Sequence, residues 1–294
     1  MTIKVVGRFF CAVLLLANLP VGGVQAADQQ ETFRTQVTAI EAEIGGRVGI
    51  AVHDLKGNTL FSYKSDQRFP MSSTFKALLC GAVLARVDAG QESLERVISF
   101  DSDDIVSYSP VTENHVGNGM SVAALCEATV TISDNTAGNL LLETMDGPKG
   151  FTQFLRDLGD PTTRLDRWET ALNEGAPNDP RDTTTPDAIL RSLNKLAFQE
   201  ALSPSSRKQL RQWMIDDKVA DALLRSVLPD GWRIGDKTGA GGYGARGIIA
   251  FVEPPEAEPV LIAIYLAENN QPFDTRNATI ARLGAVIFDL LQDQ

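Results

Sequence analysis

The chain has 294 residues, 43% apolar and 22% charged, with 27 basic against 38 acidic side chains and a formal charge of −11. Such proportions exclude a disordered polypeptide and leave enough apolar material for one or two cored domains. The acidic balance argues against a nucleic-acid-binding protein.

Residues 1–26 read as an export leader. Lys4 and Arg8 make a basic start, residues 9–19 (FFCAVLLLANL) an apolar centre, and Val24-Gln25-Ala26 a small-residue cleavage site. An uncleaved anchor fits less well, because Asn18, Pro20, Gly22 and Gly23 break a run already short for a bilayer. The pattern predicts a secreted mature chain from about Ala27, and loss of Lys4 and Arg8 takes the formal charge from −11 to −13.

An amphipathic helix is predicted over residues 30–44, followed by two strands, RVGIAVHDL and TLFSYK, joined through Lys56-Gly57-Asn58. The next helix opens near Ser73, because Phe75, Leu78, Leu79, Ala82 and Val83 recur at helical spacing. Ser73 and Lys76 then share one side of its first turn. A serine hydroxyl needs a base or a favourable field to become a nucleophile, and a partly desolvated Lys76 could supply one. A capping serine followed by a surface lysine explains the pair as well, so S-x-x-K alone decides nothing.

Residues 71–218 are mostly helical in pattern, interrupted at DGPKG (146–150) and over the aperiodic stretch 173–186. Cys80 and Cys126 lie in apolar helical surroundings; in an oxidising compartment they suit one disulfide, with two buried thiols as the alternative, and the bridge is the expectation. Neither has a second Cys or His at ligand spacing, so no metal is expected. His53 falls in a strand and His115 in a polar loop, and there is no G-x-S-x-G elbow; a Ser-His-Asp scheme therefore lacks its histidine. Ser133-Asp134-Asn135 precedes a leucine-rich helix, where a cap would account for it. Toward the end come strands GWRIGDKTG, ARGIIAFVE and PVLIAIYLAE and a helix over residues 273–291, so that a sheet is assembled from both chain ends around a helical insertion. Gly239 to Gly244 also satisfies G-x-G-x-x-G, but a strand follows where a dinucleotide site needs a helix.

S-x-x-K at 73–76, S-D-N at 133–135 and K-T-G at 237–239, in this order, form the known motif set of class A β-lactamases and penicillin-binding proteins. Residues 163–175 (TRLDRWETALNEG) place Glu169 and Asn173 in the E-x-x-L-N arrangement of the class A omega loop, which penicillin-binding proteins lack. The chain resembles a class A serine β-lactamase over essentially its whole mature length. That resemblance implies an α/β protein of the α+β type: an antiparallel five-stranded sheet flanked by helices from both ends (27–70 and 219–294), and an inserted all-helical domain (71–218). It implies a periplasmic monomer acting on small β-lactams, with no cofactor, and attack by Ser73 with the oxyanion between the backbone N–H groups of Ser73 and Ala240.

By the same resemblance Lys76 or Glu169 takes the serine proton, Ser133 relays a proton to the departing nitrogen, and Glu169 with Asn173 directs the hydrolytic water. Asn135 would meet the substrate's side-chain amide, Lys237, Thr238, Gly239 and Arg246 its carboxylate end, and Tyr108 with Pro110 an aromatic wall. Asn277 would support Arg246, Arg167 and Asp182 would tie the omega loop, and Asp134 would organise its own loop. Residues 179–186, 223–247 and 264–268 look close to the carbenicillin-hydrolysing branch, which commonly carries Arg-Ser-Gly where this chain has Lys237-Thr238-Gly239. Gly241 leaves no side chain at the strand edge, and nothing points to oxyimino-cephalosporins or carbapenems. A penicillin-sensing receptor and a D-alanyl-D-alanine peptidase share the first three motifs, and the omega-loop glutamate separates them from a hydrolase.

Overall fold

Alternate residues of the central strands belong to different cores, which fixes how the sheet is covered. In a computed structural model that describes residues 1–3 and 21–293, the elements are α1 (Val21–Ile44), β1 (Arg47–Asp54), β2 (Thr59–Tyr63), β3 (Phe69–Pro70), α2 (Phe75–Asp88), β4 (Val97–Ile98), β5 (Met120–Ser121) and α3 (Val122–Glu127). There follow α4 (Asn135–Glu143), α5 (Gly147–Asp157), β6 (Thr183–Thr184), α6 (Pro186–Ala197), α7 (Pro204–Ile215), β7 (Arg233–Ala240), β8 (Arg246–Glu253), β9 (Val260–Ala267) and α8 (Phe273–Gln292). The expected five-stranded sheet runs β2-β1-β9-β8-β7, every neighbouring pair antiparallel.

Val48, Ile50, Val52, Ile248, Ile262 and Ile264 pack with Phe33, Val37, Leu283 and Ile287 of the terminal helices α1 and α8. Their neighbours Ala51, Ile249, Phe251, Leu261, Ala263 and Tyr265 point the other way, into the core of the helical region. Period-two side chains thus bury both faces, and for that reason the strands read as continuous apolar runs. In the helical region α2 is the axis: every residue from Phe75 to Leu84 is buried.

Three expectations change. The first helix starts at Val21 rather than near residue 30 and runs through the predicted cleavage segment, in keeping with the Ala, Gln and Glu content of residues 26–31; most of the predicted leader, residues 4–20, lies outside the described residues. DGPKG is less a gap than a helix start: the turn is residues 144–146, Asp146 has φ +66°, and Gly147 to Gly150 open α5, with Pro148 in its first turn, where its missing N–H costs nothing. The expected disulfide is absent: Cys80 and Cys126 are free buried thiols, and Cys80 Sγ donates to the Cys126 carbonyl at 3.6 Å. Burial, with the Cys80 thiol beside it, pushes the Cys126 thiol well up. No helix among the described residues is long and apolar enough to cross a membrane.

Candidate active site

The chain reaches Ser73 through a strained turn. Ser72 has φ +44°, and the 3₁₀ turn Ser72–Thr74 leads straight into α2. Tyr108 and Ser133 also adopt positive φ, at +61° and +65°, so three left-handed residues gather around one cleft. On its far side runs β7, the edge strand of the sheet. Gly239 is required there, since a methyl group on it would lie 2.6 Å from the Met71 carbonyl oxygen and 2.9 Å from Ser73 N. Without that side chain the strand end carrying Ala240 closes on the serine.

Lys76 is fully buried one helical turn inside. Its ammonium donates to the Ser133 carbonyl at 2.8 Å and to Asn135 Oδ1 at 2.6 Å, and pairs with Glu169 Oε1 at 3.1 Å. Burial pulls its pKa down, with Glu169 opposing. Ser73 Oγ donates to the same Glu169 Oε1 at 3.4 Å, while Asn173 Nδ2 holds Oε2 at 2.6 Å. The predicted serine, lysine, glutamate and asparagine therefore form one connected set.

The S-D-N segment divides its work. Asp134 caps α4 through Ala137 N and accepts from Val111 N, Thr112 N and the Thr112 hydroxyl, all within about 3 Å, tying the Tyr108–Pro110 loop to the helix. Asn135 Nδ2 donates to the Ser107 carbonyl at 2.8 Å, so its amide braces both that loop and Lys76.

Arg167 and Asp182 meet as expected at 2.5 Å, and Asp182 also accepts from the backbone N–H groups of Asp166 and Arg167. Sequence reasoning missed Asn139, whose side chain accepts from Glu169 N and donates to Glu169 O, both at 3.0 Å. The signal was its spacing, one helical turn beyond Asn135 on α4.

The cationic end is also assembled. Arg246 is buried, donates to Asn277 Oδ1 at 2.8 Å and to the Gly239 carbonyl at 3.0 Å, and burial pulls it down to about 10. Lys237 is fully buried, 3.2 Å from the Thr238 carbonyl, with a pKa pulled down to about 8 by desolvation. Its facing carboxylate, Asp217, was not anticipated: Oδ2 lies 3.9 Å from Lys237 Nζ with no hydrogen-bond partner, and burial raises this carboxyl. Behind it Asp236 pairs with Arg225 at 3.0 Å and is pushed up to about 7 by burial and by Asp217.

Ser73, Tyr108, Ser133, Asn135, Asn173, Thr238, Ala240 and Arg246 line a cavity of about 320 Å³. Three other clefts among the described residues are larger, about 410, 410 and 390 Å³; one holds Ser192 bonded to Asp160 at 2.8 Å, but none contains a serine that shares a glutamate with a lysine. His53 is buried against Asp187 and His115 ends a 3₁₀ turn; neither lines the cavity. Gly239 to Gly244 passes from β7 into a turn before β8, with no helix. Among the described residues no three His, Cys, Asp or Glu side chains are placed to hold a metal ion.

A sequence model of the beta-lactamase enzyme family matches residues 32–291. Solved structures agree: an ancestral (GNCA) class A beta-lactamase is 52% identical, covering 87% of this chain and 99% of that one, with a TM-score of 0.86. The chain belongs to the class A β-lactamases. A last-common-ancestor class A beta-lactamase of Gram-negative bacteria is likewise 52% identical over 88% of this chain and 99% of its own, at a TM-score of 0.87. PenP from Rhodopseudomonas palustris, described as a candidate class A beta-lactamase, is 47% identical over 88% and 99%, at 0.86. This β-lactamase is accordingly a serine enzyme that opens β-lactam rings, and the connected set of Ser73, Lys76, Glu169 and Asn173 sits at the cleft between sheet edge and helices.

Proposed function

We propose that this β-lactamase hydrolyses penicillins and some early cephalosporins through a Ser73 acyl-enzyme, as an exported, periplasmic monomer that confers resistance. The observation that carries the mechanism is the sharing of Glu169 Oε1 by Ser73 Oγ at 3.4 Å and Lys76 Nζ at 3.1 Å. Lys76 and Glu169 are thus set together against the hydroxyl as the pair that takes its proton, and Glu169, held by Asn173, is the base for the later water.

The Lys76–Glu169 pair takes the hydroxyl proton as Ser73 Oγ bonds to the lactam carbonyl carbon, and the oxyanion is held by the backbone N–H groups of Ser73 and Ala240. The ring C–N bond breaks, and the nitrogen receives the proton taken from Ser73, passed on through Ser133, which leaves Glu169 a carboxylate again. Glu169, held by Asn173 and Asn139, next deprotonates a water that attacks the ester, and the returning proton restores Ser73. Lys237, Thr238 and Arg246 receive the substrate carboxylate.

Steady-state assay of the mature protein on benzylpenicillin, with Ser73→Ala as control, tests the reading: sustained turnover lost in the variant is expected, and a single stoichiometric burst would indicate a sensor or peptidase instead. Glu169→Ala should lower kcat by roughly 10²- to 10⁴-fold, and mass spectrometry should show the penicilloyl adduct accumulating on Ser73. Carbenicillin belongs in the same assay, given the similarity of residues 179–186 and 223–247 to its hydrolysing branch.

A further inference from the structure

Phe273 opens α8 directly after Pro272 and lines the Ser73 cavity, yet its side chain is 47% exposed. The guanidinium carbon of Arg246 lies 5.0 Å from the ring centroid and that of Arg276 5.5 Å. Arg246 does not depend on this ring for its position, because Asn277 Oδ1 and the Gly239 carbonyl already fix it. Two cations nearby hold the ring, and the remainder of its apolar surface faces the cavity beside the proposed carboxylate anchor. Tyr108, 55% exposed, is the other aromatic of the cavity lining, near Asn135 and the acyl side chain's expected place.

We propose that Phe273 is a specificity-determining residue, an apolar shelf for the carbon substituents flanking the substrate carboxylate. This rests on the reading of Arg246 as the carboxylate anchor. In a penicillin those substituents are the two methyl groups on the carboxylate-bearing ring; in a substrate without them the shelf has nothing to cover. The contact persists from bound substrate to transition state, so its loss raises KM and leaves kcat unchanged.

The experiment compares wild type, Phe273→Ala and Phe273→Leu on a penicillin and on its analogue lacking both methyl groups. Phe273→Ala should raise KM for the methylated substrate on the order of fivefold with kcat within about twofold, and leave the desmethyl analogue near wild type. Phe273→Leu should restore most of the loss, since it keeps apolar area without the ring. An equal rise on both substrates would overturn the proposal, showing the ring to act through Arg246, and so would no rise on either. Arg246→Ala, run beside them, reports separately on the anchor: it should raise KM for both substrates, and wild-type turnover of both keeps the hydrolase reading independent of Phe273.

Discussion

Lys237 is fully buried, and desolvation pulls its pKa from 10.5 to about 8; Asp217 and Asp236 resist the fall, while Lys76 and Arg246 add to it. Between those two values the unfolded chain carries a proton that the folded one has lost. Over that window this group's contribution to stability rises with pH, while its attraction for a substrate carboxylate falls. The kcat/KM profile should therefore turn down near pH 8, and the kcat profile at higher pH, because a bound carboxylate raises the pKa of Lys237. Asp217→Asn removes the charge 3.9 Å away and should move the kcat/KM limb to lower pH. An unmoved limb would mean that Asp217 is already protonated there. Ser73, Lys76, Ser133 and Glu169 were legible in the sequence because S-x-x-K, S-D-N and K-T-G occur in the order of a known motif set and Glu169 stands in the omega-loop pattern of the family that the chain resembles. Asp217, Asn139 and Phe273 were not: one of two adjacent carboxylates after a helix, an asparagine inside one and a phenylalanine opening one acquire meaning only from what the fold sets against them.

At the scale of elements, the omega loop is held by polar links across its neck more than by packing. Thr163 and Thr184 share a hydroxyl bond at 2.7 Å, Arg164 N donates to Thr183 O at 3.0 Å, and Arg167 joins Asp182 and Glu174. Leu165 and Leu172 are buried, but Trp168, Thr170 and Ala171 are exposed. Asp182 is 1% exposed, so Arg167→Ala leaves a buried carboxylate with only backbone donors. The expected cost is about 2 kcal/mol, below that of a fully buried pair because Arg167 is partly solvated. A thermal melt should register it as a fall of roughly 4–8 °C. Stopped-flow measurement should find deacylation slowed more than acylation, since Ser73 lies in the turn that opens α2 and Glu169 on the loop. The strands and terminal helices were readable from apolar periodicity, whereas this loop has no period; a motif marked Glu169 in it, and only folding revealed the bonds that close it.

Across the whole molecule, the two chain ends supply one sheet and the middle supplies the helices, and the cleft lies where β7 meets α2. The doubly buried strands follow from alternating side chains that serve two cores. What sequence patterning missed at this scale was that Cys80 meets the backbone carbonyl of Cys126 with both sulfurs left as thiols. The remaining consequence concerns α2, buried at every position from Phe75 to Leu84. Its amide hydrogens should exchange with solvent only when the entire protein unfolds, while those of residues 170–179 exchange through local opening. Hydrogen-exchange mass spectrometry would separate the two, and equal protection would refute the distinction. If they differ, gentle warming should release Glu169 before Ser73, turning the catalyst into a one-shot scavenger that captures a single antibiotic molecule and keeps it.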